Sequence, residues 1–151
     1  MSQVSFTVYR KAEPEGSKRA FVVPGKNGTA ARAVVVDNNK QVMRSYRTDV
    51  RNEAMIALKA LGIPQPMADK HVPVELAVEF MFLKPPSAKK RKYPSVAPDA
   101  DKLCRTICDA LIGVAFLDDS QVVKLSAGKI YGPSEQVHIT ARIIEEERTL
   151  F

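Results

Sequence analysis

Hydrophobic and polar residues alternate from the start of the chain. Val4, Phe6 and Val8 take turns with Ser5, Thr7 and Tyr9, the period-two pattern of a strand with one buried face. Residues 10–19 break the pattern with Pro14, Gly16, Lys18 and Arg19, which predicts a loop of basic character. Phe21–Val23 and Ala33–Val36 are short β-branched runs with Pro24, Gly25, Asn27 and Gly28 between them, which predicts a hairpin. From Val42 to Leu61 the period lengthens to about 3.6 residues. The predicted buried stripe of this helix is Val42, Tyr46, Val50, Met55, Leu58 and Leu61, with Arg44, Arg47, Arg51 and Lys59 facing elsewhere. Gly62 is expected to stop it, with Pro64 just beyond.

The clearest strand is Val74–Leu83, with Val74, Leu76, Val78, Phe80 and Phe82 on one face and Glu75, Ala77, Glu79 and Met81 on the other. Residues 84–98 follow as a loop rich in lysine and proline. A second helix is predicted from about Asp101 to Ile112, with Gly113 as its cap. Val122–Tyr131 and Gln136–Glu145 are predicted as two final strands turned by Gly132 and Pro133. The order β, ββ, α, β, α, ββ is neither a repeating βαβ pattern nor an all-β one. It predicts an α+β fold, a mixed sheet with two main helices packed on it. No internal repeat or long linker interrupts it, so residues 1–151 are expected to form a single domain.

The chain has 151 residues, 45% hydrophobic and 26% charged, which are globular values that exclude a disordered or fibrous class. No apolar run is long enough to span a bilayer, and the N-terminal MSQVSFTVYR lacks the pattern of a secretory signal. Cys104 and Cys108 lie one helical turn apart. Two thiols alone cannot complete a zinc site, so they read as small core residues of a cytoplasmic protein. The net charge of +6 points to an acidic partner, nucleic acid first. There is no G-x-x-x-x-G-K-[ST] loop, so no nucleotide cofactor is expected at a P-loop.

The chemistry concentrates in residues 98–122. Asp99 and Asp101 sit where a loop enters the second helix, and Asp118 and Asp119 sit just before the next strand. Each half has an ordinary use alone: an Asp before a helix is a common N-cap, and Asp-Asp-Ser is a common turn. Together they place carboxylates at the ends of two neighbouring elements, and a hard cation such as Mg²⁺ needs few carboxylates because it keeps several waters. Asp101, Arg105 and Asp109 share one helix face by spacing, either as an ion-pair ladder or with Arg105 free to stabilise charge on a phosphate. Lys89, Lys90, Arg91 and Lys92 run into this helix without an acid among them, as a solvated loop or as a phosphate-binding one. Lys18 and Arg19, with Lys26 and Arg32, add basic residues in the N-terminal loops. His71 and His138 lie far apart in sequence and nothing joins them to a nucleophile.

Residues 98–122 resemble the RusA family of Holliday-junction resolvases, small Mg²⁺-dependent endonucleases common in phages and prophages. The family pattern is Asp-x-Asp at a helix start, Lys four residues on, Asp-Ala-Leu later in the helix, then Asp-Asp and a Gln before a strand. The sequence offers Asp99, Asp101, Arg105, Asp109-Ala110-Leu111, Asp118-Asp119 and Gln121. The loop from Pro14 to Arg19 is similar to the family's Pro- and Lys-containing loop after its first strand.

By that resemblance Asp99, Asp101 and Asp119 match the family's metal-binding acids, with Asp118 the weaker match of its pair. Arg105 stands where the family has a catalytic Lys, and Lys102 where many members have Asn. The resemblance further implies Mg²⁺ with Mn²⁺ as a substitute, a homodimer, branched DNA in the form of four-way junctions as substrate, and products with a 5′-phosphate and a 3′-hydroxyl. Two rival functions remain from the residues: a phage nuclease for other branched DNA, and a non-catalytic DNA-binding protein on the same fold.

Overall fold

The alternation at the N-terminus becomes strand β1 (Gln3–Val8), whose Val4, Phe6 and Val8 are buried. The structure, a computed structural model, describes residues 2–15, 18–28, 30–37 and 40–145; at 16–23, 29 and 32–39 side chains lie outside the description. β2 (Lys18–Val23) and β3 (Arg32–Asp37) pair antiparallel as the expected hairpin, forming a two-stranded sheet of their own. Lys18 and Arg19 therefore lie in β2 rather than in the preceding loop: the strand begins at Lys18, because pairing with β3 extends past the β-branched core of the hairpin.

Helix α1 (Lys40–Ala60) buries Met43, Tyr46, Val50, Ala54 and Leu58. The predicted stripe is only half right. Tyr46, Val50 and Leu58 face the core, whereas Val42, Met55 and Leu61 are exposed. Steps of three and four residues lead from Met43 through Ala54 to Leu58, and each residue off that line turns about 100° away. Small Ala54, not the larger Met55, is what the helix sets against its neighbours. Gly62 ends α1 at φ +67: its N–H reaches Lys59 O, and Ile63 N–H reaches Leu58 O, a Schellman closure.

β4 (Val74–Phe82) buries Val74, Leu76, Val78, Phe80 and Phe82, as its alternation predicts. Helix α2 (Ala100–Leu111) follows, closed by Gly113 at φ +87 and by Arg51, which donates to the carbonyls of Ala110 and Ile112 at 3.2 and 2.8 Å. β5 (Val122–Tyr131) and β6 (Gln136–Ile143) complete the chain.

The main sheet has the order β1-β6-β4-β5, with β4 and β5 parallel and the other neighbours antiparallel. The last two strands exist as expected, but β4 lies between them. A parallel pair needs a crossover, and α2 supplies it between β4 and β5. The turn at Gly132 then carries the chain past the end of β4, where Gly132 N–H bonds Phe82 O and a Cβ would run into Met81. The α+β architecture expected from the pattern is the one observed. Its core lies between one sheet face (with Val137, Ile139 and Ala141 from β6) and the two helices, which contribute Tyr46, Val50, Leu58, Leu103, Ile107 and Leu111.

Candidate active site

One acid of each pair, Asp101 and Asp119, meets its counterpart along the seam between α2 and β5. At the start of α2, Asp99 has the extended backbone of an N-cap (φ −73°, ψ 138°), yet its carboxylate accepts no capping bond. Its backbone carbonyl takes the first helical bond, from Leu103 N–H at 3.1 Å. Asp101 follows in the first turn, where the positive end of the helix dipole favours an acid. Both carboxylates are thus left available.

The second pair divides its labour. Asp118 accepts a hydrogen bond from Ser120 N–H at 2.8 Å and caps the short helical turn Asp119–Gln121. Hydrogen bonds from Ser120, through side chain and backbone, hold the Asp118 carboxyl below the usual carboxylate range. Gln121 is buried and all its polar atoms are used. Its Oε1 accepts from Leu117 and Asp118 N–H at 2.8 and 3.0 Å, and its Nε2 donates to Asp69 O and Val72 O at 2.8 and 3.1 Å. The turn is thereby fastened to the loop before β4, and Asp119 is presented outward.

Asp101 and Asp119 line one cleft of about 430 Å³, with Arg105, Cys104, Cys108, Val122 and Leu125. Cys104 and Cys108, one turn apart on α2, face the same cleft as the two acids. Burial pushes both thiols up, with Asp101 adding to it at Cys104, and with Cys104, Asp119 and Asp109 adding to it at Cys108, which reaches about 11. They stay protonated near neutral pH and are poor ligands, so the cleft offers oxygen donors, the set that suits a hard cation. Asp99 faces the adjoining hollow of about 320 Å³, beside Lys11, Glu13 and Lys102, with Lys102 Nζ 3.8 Å from its carboxylate. Among the described residues, no three His, Cys, Asp or Glu side chains converge closely enough to form a ready-made metal cage.

Arg105 lines the cleft with its side chain 62% exposed. Its ion-pair partner among the described residues is Glu15 at 3.4 Å, not Asp101 or Asp109, the ladder that is one of the two readings of its spacing. Glu15 comes from the loop after β1, where its backbone N–H also bonds Lys102 O at 3.2 Å. Its Oε2 is buried and accepts no hydrogen bond, so the attraction to Arg105 is one of charge. Nothing in the sequence near Glu15 announced this contact, because it joins positions 90 residues apart.

A family model for the endodeoxyribonuclease RusA matches residues 12–142. The chain belongs to the RusA family of endodeoxyribonucleases. Among curated proteins, none matches it. The RusA match starts in the loop that carries Glu15 and ends within β6, so it takes in both acid pairs, Arg105 and the basic loop.

In this RusA nuclease the basic loop is only partly free. Lys89, Lys90 and Lys92 are exposed, but Arg91 Nε donates to Tyr131 Oη at 3.0 Å and is half-buried against β5. Lys129, also on β5, donates to the carbonyls of Val96 and Pro98 at 2.8 and 2.9 Å. Sequence reasoning missed Lys129 as it missed Glu15. The anchoring role of Gln121 was missed as well, although Asp118 followed three residues later by Gln is the spacing of a capping box and could have shown it. The side chains of Lys18 and Arg19 lie outside the described residues.

Proposed function

We propose that the chain cuts four-way DNA junctions by paired, Mg²⁺-dependent nicks, acting as a homodimer in recombination and repair in the cytoplasm. The observation that carries this is the shared cleft: Asp101 from a helix start and Asp119 from a separate turn, with Arg105 on the same lining, in a chain of this family. Asp101 and Asp119 would hold Mg²⁺, or Mn²⁺ in its place, with Asp99 the third acid of the set. When bound, the cation supplies an activated water and neutralises charge on the phosphodiester.

The remaining work falls to the chain itself. Arg105 offers a fixed positive charge to the phosphate oxygens, which requires it to exchange Glu15 for the phosphate. That exchange is favoured by the loose geometry of the pair, 3.4 Å with no hydrogen bond to Glu15 Oε2. Arg does not deliver a proton, so the departing 3′ oxygen takes one from solvent, and the 5′-phosphate remains on the other fragment. Gln121 and Asp118 keep Asp119 facing the cleft. Lys89, Lys90 and Lys92, with Lys102, Lys18 and Arg19, supply phosphate contacts along the DNA arms; Arg91 acts there by bracing the loop.

For the second copy, β4 has no free edge, since β5 and β6 occupy both. α1 instead exposes Met55, Ile56 and Leu61, the first two lining a groove of about 940 Å³, which favours the helix. The test is incubation of the purified chain with a mobile four-way junction, a flap, a Y-fork and a linear duplex, each with and without Mg²⁺. Paired Mg²⁺-dependent nicks in the junction support the proposal. Preference for a flap or fork supports the nuclease for other branched DNA, and tight binding without cutting supports a DNA-binding protein.

A further inference from the structure

We propose that Lys129 is a positioning residue for the nuclease reaction: by tying residues 96–98 to β5, it fixes where Asp99 and Asp101 stand relative to Asp119. The inference rests on the function proposed above and deepens its account of the site. Its starting point is that the acids arrive from two directions. Asp119 belongs to the turn that runs straight into β5, and Gln121, the residue before the strand, anchors that turn to the loop before β4. Asp99 and Asp101 instead come at the end of the long proline-containing loop after β4, and a loop of that kind needs an external tie to hold a carboxylate in register.

Lys129 is that tie. Its backbone lies opposite Phe80 of the central strand, a fully buried residue, so its root is rigid. Its ammonium donates to Val96 O at 2.8 Å and to Pro98 O at 2.9 Å, the second carbonyl immediately preceding Asp99. Hydrogen bonds from a charged donor are about twice as strong as neutral ones, and two of them fix both distance and direction. The ammonium engages carbonyls and leaves the carboxylates themselves to a cation. β5 therefore meets both arms of the acid set, the Asp119 turn leading directly into it and the Asp99–Asp101 arm tied to it through Lys129.

A neighbour that orients a metal-binding acid typically changes metal affinity or rate by about 10- to 100-fold when removed. The experiment compares wild type with Lys129→Met, which keeps the aliphatic stem, and Lys129→Arg, which keeps two donors. Three quantities are read: Mn²⁺ affinity by calorimetry on the free protein, junction affinity in EDTA, and the single-turnover rate with Mg²⁺. Lys129→Met is expected to weaken Mn²⁺ binding and slow cutting by about 10- to 100-fold, with junction affinity unchanged, and Lys129→Arg to recover most of both. If Lys129→Met does not fold, Lys129→Gln, with one donor, is read in the same assays.

Wild-type Mn²⁺ affinity in a variant that merely melts earlier would make Lys129 a structural lysine and overturn the inference. A loss of junction affinity that matches the loss of rate would make it a DNA contact and overturn it equally. If wild type itself neither binds Mn²⁺ nor cuts, the function proposed above fails first, an outcome distinct from a normal wild type with an indifferent Lys129.

Discussion

The two acid pairs of this nuclease look alike in sequence and are built differently. At α2 neither carboxylate is spent on capping, because Asp99 starts the helix with its backbone and keeps its side chain out of the cap, beside Lys102. At the turn before β5, Asp118 is consumed by the Ser120 N–H and only Asp119 reaches the cleft. The difference follows from what each segment needs. A 12-residue helix packed on the core holds itself, whereas a three-residue turn has too few bonds of its own and must be closed by side chains. One acid of a pair then becomes structure so that the other can be presented.

The largest effects should fall on the presented acids. Asp101→Asn and Asp119→Asn are each expected to lower single-turnover cleavage by about 1000-fold or more, the several kcal/mol a bound cation contributes. Junction binding in EDTA should stay equal or tighten, since a negative charge near phosphate is gone. Retained cutting by either variant would break the asymmetry between the pairs.

Arg105→Ala comes next, with an expected loss of about 100- to 1000-fold in rate and little change in melting temperature. Arg105→Lys should keep substantial activity, although a point charge does not reproduce the guanidinium fork. A normal rate with a lowered melting point would reduce Arg105 to a structural partner of Glu15.

Gln121→Ala should be costly in stability, about 3 kcal/mol, because the N–H groups of Leu117 and Asp118 and the carbonyls of Asp69 and Val72 lose their partner together. Chemical denaturation measures this, and cutting should fall with it as Asp119 loses its support. Lys89, Lys90 and Lys92 changed together to Ala should flatten the salt dependence of junction binding, by about 0.9 in log–log slope for each phosphate that is no longer neutralised. Arg91→Ala should instead loosen the loop, because its side chain is committed to Tyr131.

Asp118→Asn gives the smallest effect, and its sign with pH is fixed. Hydrogen bonds from Ser120 depress the folded-state pKa of Asp118. Its contribution is therefore complete above the unfolded value of about 3.9 and lost as pH falls through the lower folded value. Melting curves of wild type and Asp118→Asn should differ near neutral pH and converge in strong acid.

Much of this was legible in the sequence, and the gaps have physical causes. β1, β4 and α2 were readable because each buries one periodic face. The rotation of α1 was misjudged because large Met55 and Leu61 outweigh small Ala54 in any pattern based on hydrophobic size. The separation of β5 from β6 could not be read locally, since it depends on β4 inserting between strands adjacent in sequence. The acids were found because Asp-x-Asp and Asp-Asp are local motifs. Glu15 and Lys129 were not, because each acts across a sequence gap of 30 residues or more.

The most direct test sets the two members of one pair against each other on a mobile four-way junction with saturating Mg²⁺. Single-turnover cleavage is measured for wild type, Asp118→Asn and Asp119→Asn. The proposed function predicts paired nicks by wild type, nicks at close to the same rate by Asp118→Asn, and none by Asp119→Asn. Equal rates for the two variants, or cutting by Asp119→Asn alone, would contradict the assignment of Asp118 to the fold and Asp119 to the chemistry.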